Sequence, residues 1–176
     1  MIDYDLTKIR GIAFDVDGVL SPSTIPLHVS GEPMRMVNIK DGYALQLAVK
    51  HGLQLAIITG AATTAVRVRF EGLGVQRIYQ GAGMKLPVFL QWLKETGLTP
   101  EQVAYVGDDI PDLQVMAAAG LPIAPADAAP EVIAAARYVT PCDGGHGVAR
   151  HVLEQVMKAQ GMWLNAGGDD TRSFSW

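Results

Sequence analysis

At 176 residues and 49% hydrophobic, the chain is long and apolar enough for one domain with a sizeable core, and too apolar for disorder. Its apolar runs, Leu53–Ile58 and Val132–Ala136 among them, fall short of the about 20 residues that span a bilayer, and the acidic start Met1-Ile-Asp-Tyr-Asp5 lacks the apolar stretch of a secretory signal. A net charge of −4 argues against a nucleic-acid binder without excluding anionic substrates, and one cysteine, Cys142, rules out a disulfide framework and points to a cytoplasmic setting.

The first expected element is a buried strand over Ile9–Val16 that ends in acids. Ile25–Val29 and Met34–Ile39, flanking Ser30-Gly31-Glu32-Pro33, read as a β-hairpin. Asp41–His51 has helical spacing and stops at Gly52. A strand over Leu53–Thr59 follows, then a helix over Thr63–Glu71 stopped by Gly72. Arg77–Tyr79 is a short strand, Leu86–Thr96 a helix closed by Gly97, and Val103–Gly107 a strand ending in Asp108-Asp109. Pro111–Ala119 starts on a proline suited to a first helical turn. Short strands at Leu121–Ala124 and Tyr138–Thr140 and a helix over Gly147–Gln160 complete the pattern.

Strand–helix alternation predicts an α/β fold with a mostly parallel sheet covered on both faces, in a single domain over 1–163 with the hairpin inserted at about 22–40. A hairpin with apolar residues on both arms exposes an edge. Either other copies of the chain cover it or it folds back on its own chain. The tail, 164–176, has no periodicity and is expected to be disordered or ordered by a partner.

In open α/β sheets, ligands bind beyond the carboxyl ends of the strands. Three strands here end in polar residues of one logic: Asp15 and Asp17; Thr59-Gly60; and Gly107-Asp108-Asp109, with Asp112 a turn later. Lys85 opens the helix before the third of these. Converging carboxylates repel one another unless a cation neutralises them, and magnesium takes such oxygen ligands. A phosphate would then meet a carboxylate nucleophile, an ammonium, a hydroxyl and backbone N–H groups. Asp15 and Asp17 share one side of the chain if it stays extended, so one can attack phosphorus while the other handles the leaving oxygen's proton. Each motif alone is common: Asp-x-Asp ends many strands, Gly-Asp-Asp is often a turn, and Thr59 serves equally as a helix cap. The ordered set is what points to phosphoryl transfer.

At these residues the chain resembles a phosphatase of the haloacid dehalogenase (HAD) superfamily. The match runs through Asp15-Val-Asp-Gly-Val-Leu20, Ile57-Ile-Thr-Gly60, Lys85 and Tyr105-Val-Gly-Asp-Asp-Ile-Pro-Asp112. Asn38-Ile-Lys-Asp-Gly-Tyr43, Ala124-Pro-Ala-Asp-Ala-Ala129, Gly144-Gly145 with Gly147, and Gln155–Gly161 are similar to the capless branch that holds the 3-deoxy-D-manno-octulosonate 8-phosphate (KDO 8-phosphate) phosphatases. The resemblance implies a Rossmann-like three-layer α/β/α core with a small hairpin in place of a cap domain. It implies a magnesium-dependent phosphomonoesterase of lipopolysaccharide precursor synthesis, acting on a phosphorylated sugar acid. Asp15 would be the nucleophile and form an aspartyl-phosphate; Asp17 would protonate the leaving alkoxide and then activate water. Thr59 and Gly60 would hold the phosphoryl group, and Lys85 would steady its charge. Asp15, the Asp17 carbonyl and Asp108 would bind Mg²⁺; Asp112 would orient Lys85 or a metal-bound water, with Asp109 beside it. Lys40, Asp41, Arg69 and His146 are the candidate substrate contacts. The branch further implies a homotetramer in which the hairpins meet at the centre and a neighbour closes the site.

Two positions depart from the branch. Ala61-Ala62 stands where arginine or glutamate often follows Ile-Thr-Gly, and His146 replaces the arginine of Gly-Gly-Arg-Gly. Arg69 of the following helix does match, whereas Arg67 lies roughly 200° around that helix from it. These departures leave a nonulosonate 9-phosphate as the alternative substrate. A phosphate-binding subunit without turnover is the alternative from another class.

Overall fold

The structure, a computed structural model, describes residues 2–164. The predicted tail beyond Leu164 lies outside the described residues. Six strands form one parallel sheet: β1 (Gly11–Phe14), β2 (Gln54–Ile58), β3 (Arg77–Tyr79), β4 (Val103–Val106), β5 (Leu121–Ala124) and β6 (Tyr138–Val139), in the order β3-β2-β1-β4-β5-β6. The helices are α1 (Ile39–Lys50), α2 (Thr64–Glu71), α3 (Lys85–Thr96), α4 (Leu113–Ala118), α5 (Pro130–Ala135) and α6 (Val148–Ala159).

The central strands are apolar throughout because both their faces are covered: every residue of β1 and β4 is buried. Alternation along β1 divides the core. Ile12 and Phe14 pack with Leu45 and Leu47 of α1, Phe70 of α2 and Val152 and Val156 of α6. Ala13 faces the other side with Phe89 and Trp92 of α3, Met116 of α4 and Val132 of α5. Caps fix the helix starts: the Asn38 side chain accepts from the N–H groups of Lys40 and Asp41 at 2.9 and 3.4 Å, and Thr63 accepts from Val66 at 3.5 Å.

Strand order reverses between β1 and β4, which pair in register from Gly11↔Val103 to Phe14↔Val106. A crevice therefore opens at the carboxyl ends of these two strands, where ligands of doubly wound sheets bind. Asp15 follows one strand and Gly107-Asp108 the other.

Three expectations need correction. The inserted hairpin is not a two-stranded ribbon. Leu27 and Pro33 form one isolated antiparallel bridge, and the Met34 N–H donates to Pro26 at 2.8 Å. Pro26 and Pro33 each remove a donor from their arm, and an isolated two-stranded ribbon is marginal in any case. Pro111 sits in a 3₁₀ turn (Ile110–Asp112), and α4 begins only at Leu113. Finally, α5 occupies a stretch for which only an apolar run was noted. At six residues it is too short to show a helical period.

Candidate active site

Asp112 is the hub of the site. It is fully buried, and both its oxygens are saturated. Oδ1 accepts from Lys85 Nζ at 2.7 Å and from the Tyr105 hydroxyl at 2.6 Å; Oδ2 accepts from the N–H groups of Asp108 and Asp109 at 3.1 and 3.4 Å. One carboxylate thereby fixes the loop after β4, the first residue of α3 and a β4 side chain. Gly107 makes this possible, since a Cβ there would stand 2.5 Å from the Asp112 side chain.

Lys85 carries the geometry to β1. Its Nζ lies 2.9 Å from Asp15 Oδ2, so it bridges two buried carboxylates. Burial opposes its charge, but Asp15 and Asp112 outweigh burial and raise its pKa. The other Asp15 oxygen, Oδ1, is buried with no hydrogen-bond partner. Desolvation first, then the charge of Asp112, pushes the Asp15 carboxyl up to about 6 against the pull of Lys85. Asp108 is pushed up to about 7, by burial first and then by Asp15 and Asp112.

Asp15, Asp108 and Asp112 each place an oxygen within 4.8 Å of the others'. Three carboxylates at that separation with one ammonium call for another cation. Because Asp112 is saturated, Asp15 Oδ1 and the Asp108 carboxylate are the free donors. An all-oxygen set with two protein carboxylates suits magnesium. Gly18 takes φ +84, a conformation natural to glycine, and a Cβ there would collide with the Asp108 carboxylate.

Asp17 is placed differently from the extended-strand expectation. Asp15 still donates its N–H to the Val106 carbonyl at 3.0 Å, and the chain then turns: the N–H groups of Leu20 and Ser21 both donate to the Val16 carbonyl. The Asp17 carboxylate is gripped instead by Arg35, whose Nε and Nη2 each donate at 2.7 Å. Arg35 belongs to the inserted segment and did not emerge from the sequence as a site residue. Its only signal there is a lone cation between Met34 and Met36 in an apolar arm. Tyr105 opens the motif that ends in Asp112 but was likewise given no role in the site.

After β2, the Thr59 hydroxyl accepts from the Ala61 N–H at 3.1 Å and keeps its own proton to donate. Gly60 is exposed beside it. A groove of about 490 Å³ runs from Val16 and Leu20 between the insertion and α2; Arg35, Thr63 and Arg69 border it. Arg69 lies over Gly42, where any side chain would displace its guanidinium. Arg67 faces away and pairs with Glu71 at 3.2 Å.

The remaining candidates sit elsewhere. Lys40 and His146 line a separate cleft of about 510 Å³ with Arg150 and His151. His146 is exposed, and its Nδ1 lies 2.7 Å from the Gly144 carbonyl. Asp41 is buried and accepts from the Arg150 N–H at 2.6 Å, which ties α1 to the start of α6. The exposed Asp109 caps the 3₁₀ turn before α4.

The sequence pattern of haloacid dehalogenase-like hydrolases matches residues 66–152. The chain is 42% identical over 161 residues to the 3-deoxy-D-manno-octulosonate 8-phosphate phosphatase KdsC of Escherichia coli K12, covering 92% of this chain and 86% of that one. The crystal structure of the Yersinia pestis phosphatase of that name is similar at a TM-score of 0.86 and 38% identity, covering 90% of this chain and 85% of that one. The Moraxella catarrhalis phosphatase, solved with magnesium, phosphate and KDO, gives a TM-score of 0.85 at 34% identity, covering 90% and 91%. With the site residues in that order on that sheet, the chain belongs to the KDO 8-phosphate phosphatase family of haloacid dehalogenase-like hydrolases.

Proposed function

We propose that the protein hydrolyses KDO 8-phosphate to KDO and phosphate through an aspartyl-phosphate on Asp15. The observation that carries this reading is the buried Asp15, with one oxygen on Lys85 and the other unpartnered beside Asp108. Asp15 and Asp108, with the Asp17 backbone carbonyl, would hold Mg²⁺. The ion, when bound, neutralises the carboxylates and the phosphate oxygens around the reacting phosphorus.

Asp15 attacks phosphorus as the bond to the sugar oxygen breaks, and Asp17 gives its proton to that oxygen. As a carboxylate, Asp17 then takes a proton from the water that cleaves the intermediate. Lys85 uses two of its three N–H groups on Asp15 and Asp112, and the third is directed to a phosphoryl oxygen. Thr59 and the N–H groups after β2 hold the same phosphoryl group. Arg69, in the groove, meets the sugar carboxylate. Lys40 and His146 line a different cleft of the same chain, so they reach substrate only by serving a neighbour's site. Asp41 is committed to α6 and serves the site through the fold.

The reading includes a homotetramer in which the insertion is covered by other copies. Supporting it, Val29 is 100% exposed and Leu27 70%, with Met36 and Ile39 also exposed. It also places the protein in the bacterial cytoplasm, in keeping with one free cysteine. No described helix is long and apolar enough to cross a membrane.

The test is turnover of KDO 8-phosphate with magnesium by the wild type and by Asp15→Asn. The substitution should lower kcat by about 10³-fold or more while the protein stays folded. Near-normal turnover would remove Asp15 from its role, and no turnover by the wild type would favour a subunit that only binds phosphate.

A further inference from the structure

We propose that Arg35 is a positioning residue for Asp17, and that through it the inserted segment sets the efficiency of proton delivery to poor leaving groups. The inference rests on the reading of Asp17 as the acid–base. The turn closed between Val16 and Ser21 ends the strand geometry that would otherwise aim Asp17. The orientation of the carboxylate is supplied from outside, by a two-pronged contact at 2.7 Å to each oxygen. Such a fork fixes a carboxylate's plane as well as its position.

The pair is unlike an exposed surface ion pair. The Arg35 side chain is only 12% exposed and that of Asp17 36%, and the two residues are 18 positions apart, on different segments. The third guanidinium nitrogen, Nη1, is buried without a hydrogen-bond partner.

In the first step the Asp15–phosphorus bond forms and the phosphorus–sugar oxygen bond breaks. The proton on one Asp17 oxygen passes to the sugar oxygen. The other Asp17 oxygen stays on Arg35 throughout, and the carboxylate left behind regains both contacts. A leaving group stable as an anion needs no such proton, so Arg35 is dispensable for it.

The test uses the full-length enzyme with magnesium, in single turnover at saturating substrate, so that product release reports the first phosphoryl transfer. KDO 8-phosphate leaves as an alkoxide; p-nitrophenyl phosphate leaves as a stabilised phenolate. Arg35→Gln should slow KDO release by about 30-fold or more, a part of the roughly 10²–10⁴-fold that a general acid contributes, and change p-nitrophenol release by less than about 3-fold. Half-saturation for KDO 8-phosphate should shift by less than about 3-fold, and Arg35→Lys should recover part of the lost rate, as expected of one retained donor. Preserved p-nitrophenol release also shows that the variant is folded. Equal slowing on both substrates, a change confined to half-saturation, or unchanged KDO release would overturn the proposal. Asp17→Asn serves as the reference. If it leaves KDO release unchanged, the acid–base reading itself fails; if it slows release while Arg35→Gln does not, only the role of Arg35 fails.

Discussion

Asp15, Asp108 and Asp41 are carboxyls held away from water, with pKa values of about 6, 7 and 6 in the folded chain against an ordinary 3.8. Burial is the leading cause in each. The native state therefore keeps protons that the unfolded chain releases, and stability falls as pH rises through the window from about 4 to 7. Lys85 does not offset this, because its raised pKa removes stability only above the ordinary lysine value of 10.5. Of the carboxyls with lowered values, Glu95 and Glu101 are exposed and screened and Glu154 is half-buried. Burial also lowers His151, which opposes the trend, one group against three. Magnesium binds the ionised site, so its stabilisation grows as the carboxyls deprotonate. We expect the melting temperature of the metal-free protein to fall between pH 5 and pH 8, and added magnesium to restore it mainly at pH 8. A metal-free melting temperature that rises across that range contradicts the burial of these groups. Asp15, Asp108 and Asp112 were legible in the sequence because each stands at or near a strand end of an alternating pattern, and Lys85 because it opens the helix before β4. Arg35 and Tyr105 were not, because their roles depend on which segment lies across from them, and no local period encodes that.

The inserted segment is the element for which pattern and structure diverge most. Alternating apolar residues over Ile25–Ile39 suggested two paired strands, yet the structure keeps one bridge and leaves the apolar side chains in solvent. The pattern was right about apolarity and wrong about what satisfies it, since two prolines cap the number of ladder bonds the arms can make. Its exposed residues are those expected to meet other copies. Leu27→Asp with Val29→Asp should convert a multi-copy assembly to a smaller species in sedimentation experiments, with turnover falling as the neighbour's contribution to the site is lost. An unchanged mass, or a monomeric wild type, contradicts the assembly. Boundaries of the other predicted helices and strands agree with the structure to within two residues, because their caps and glycine stops are local signals.

At the scale of the whole molecule, the six parallel strands and their order place the reversal between β1 and β4, the two strands that deliver Asp15 and Asp108. Alternation in the sequence predicted the layers. The strand order was not predicted, since no periodicity states which strand pairs with which. The sheet accounts for phosphoryl transfer, whereas the proposed contact to the sugar, Arg69, borders the groove between the insertion and α2. The most direct measurement is magnesium-dependent turnover across a panel of KDO 8-phosphate, a nonulosonate 9-phosphate and unrelated hexose phosphates. The account predicts that kcat/KM for KDO 8-phosphate exceeds that for the hexose phosphates by about 100-fold or more, a gap of the size that a lost carboxylate contact produces. Comparable values across the panel, or a higher value for the nonulosonate, would contradict it.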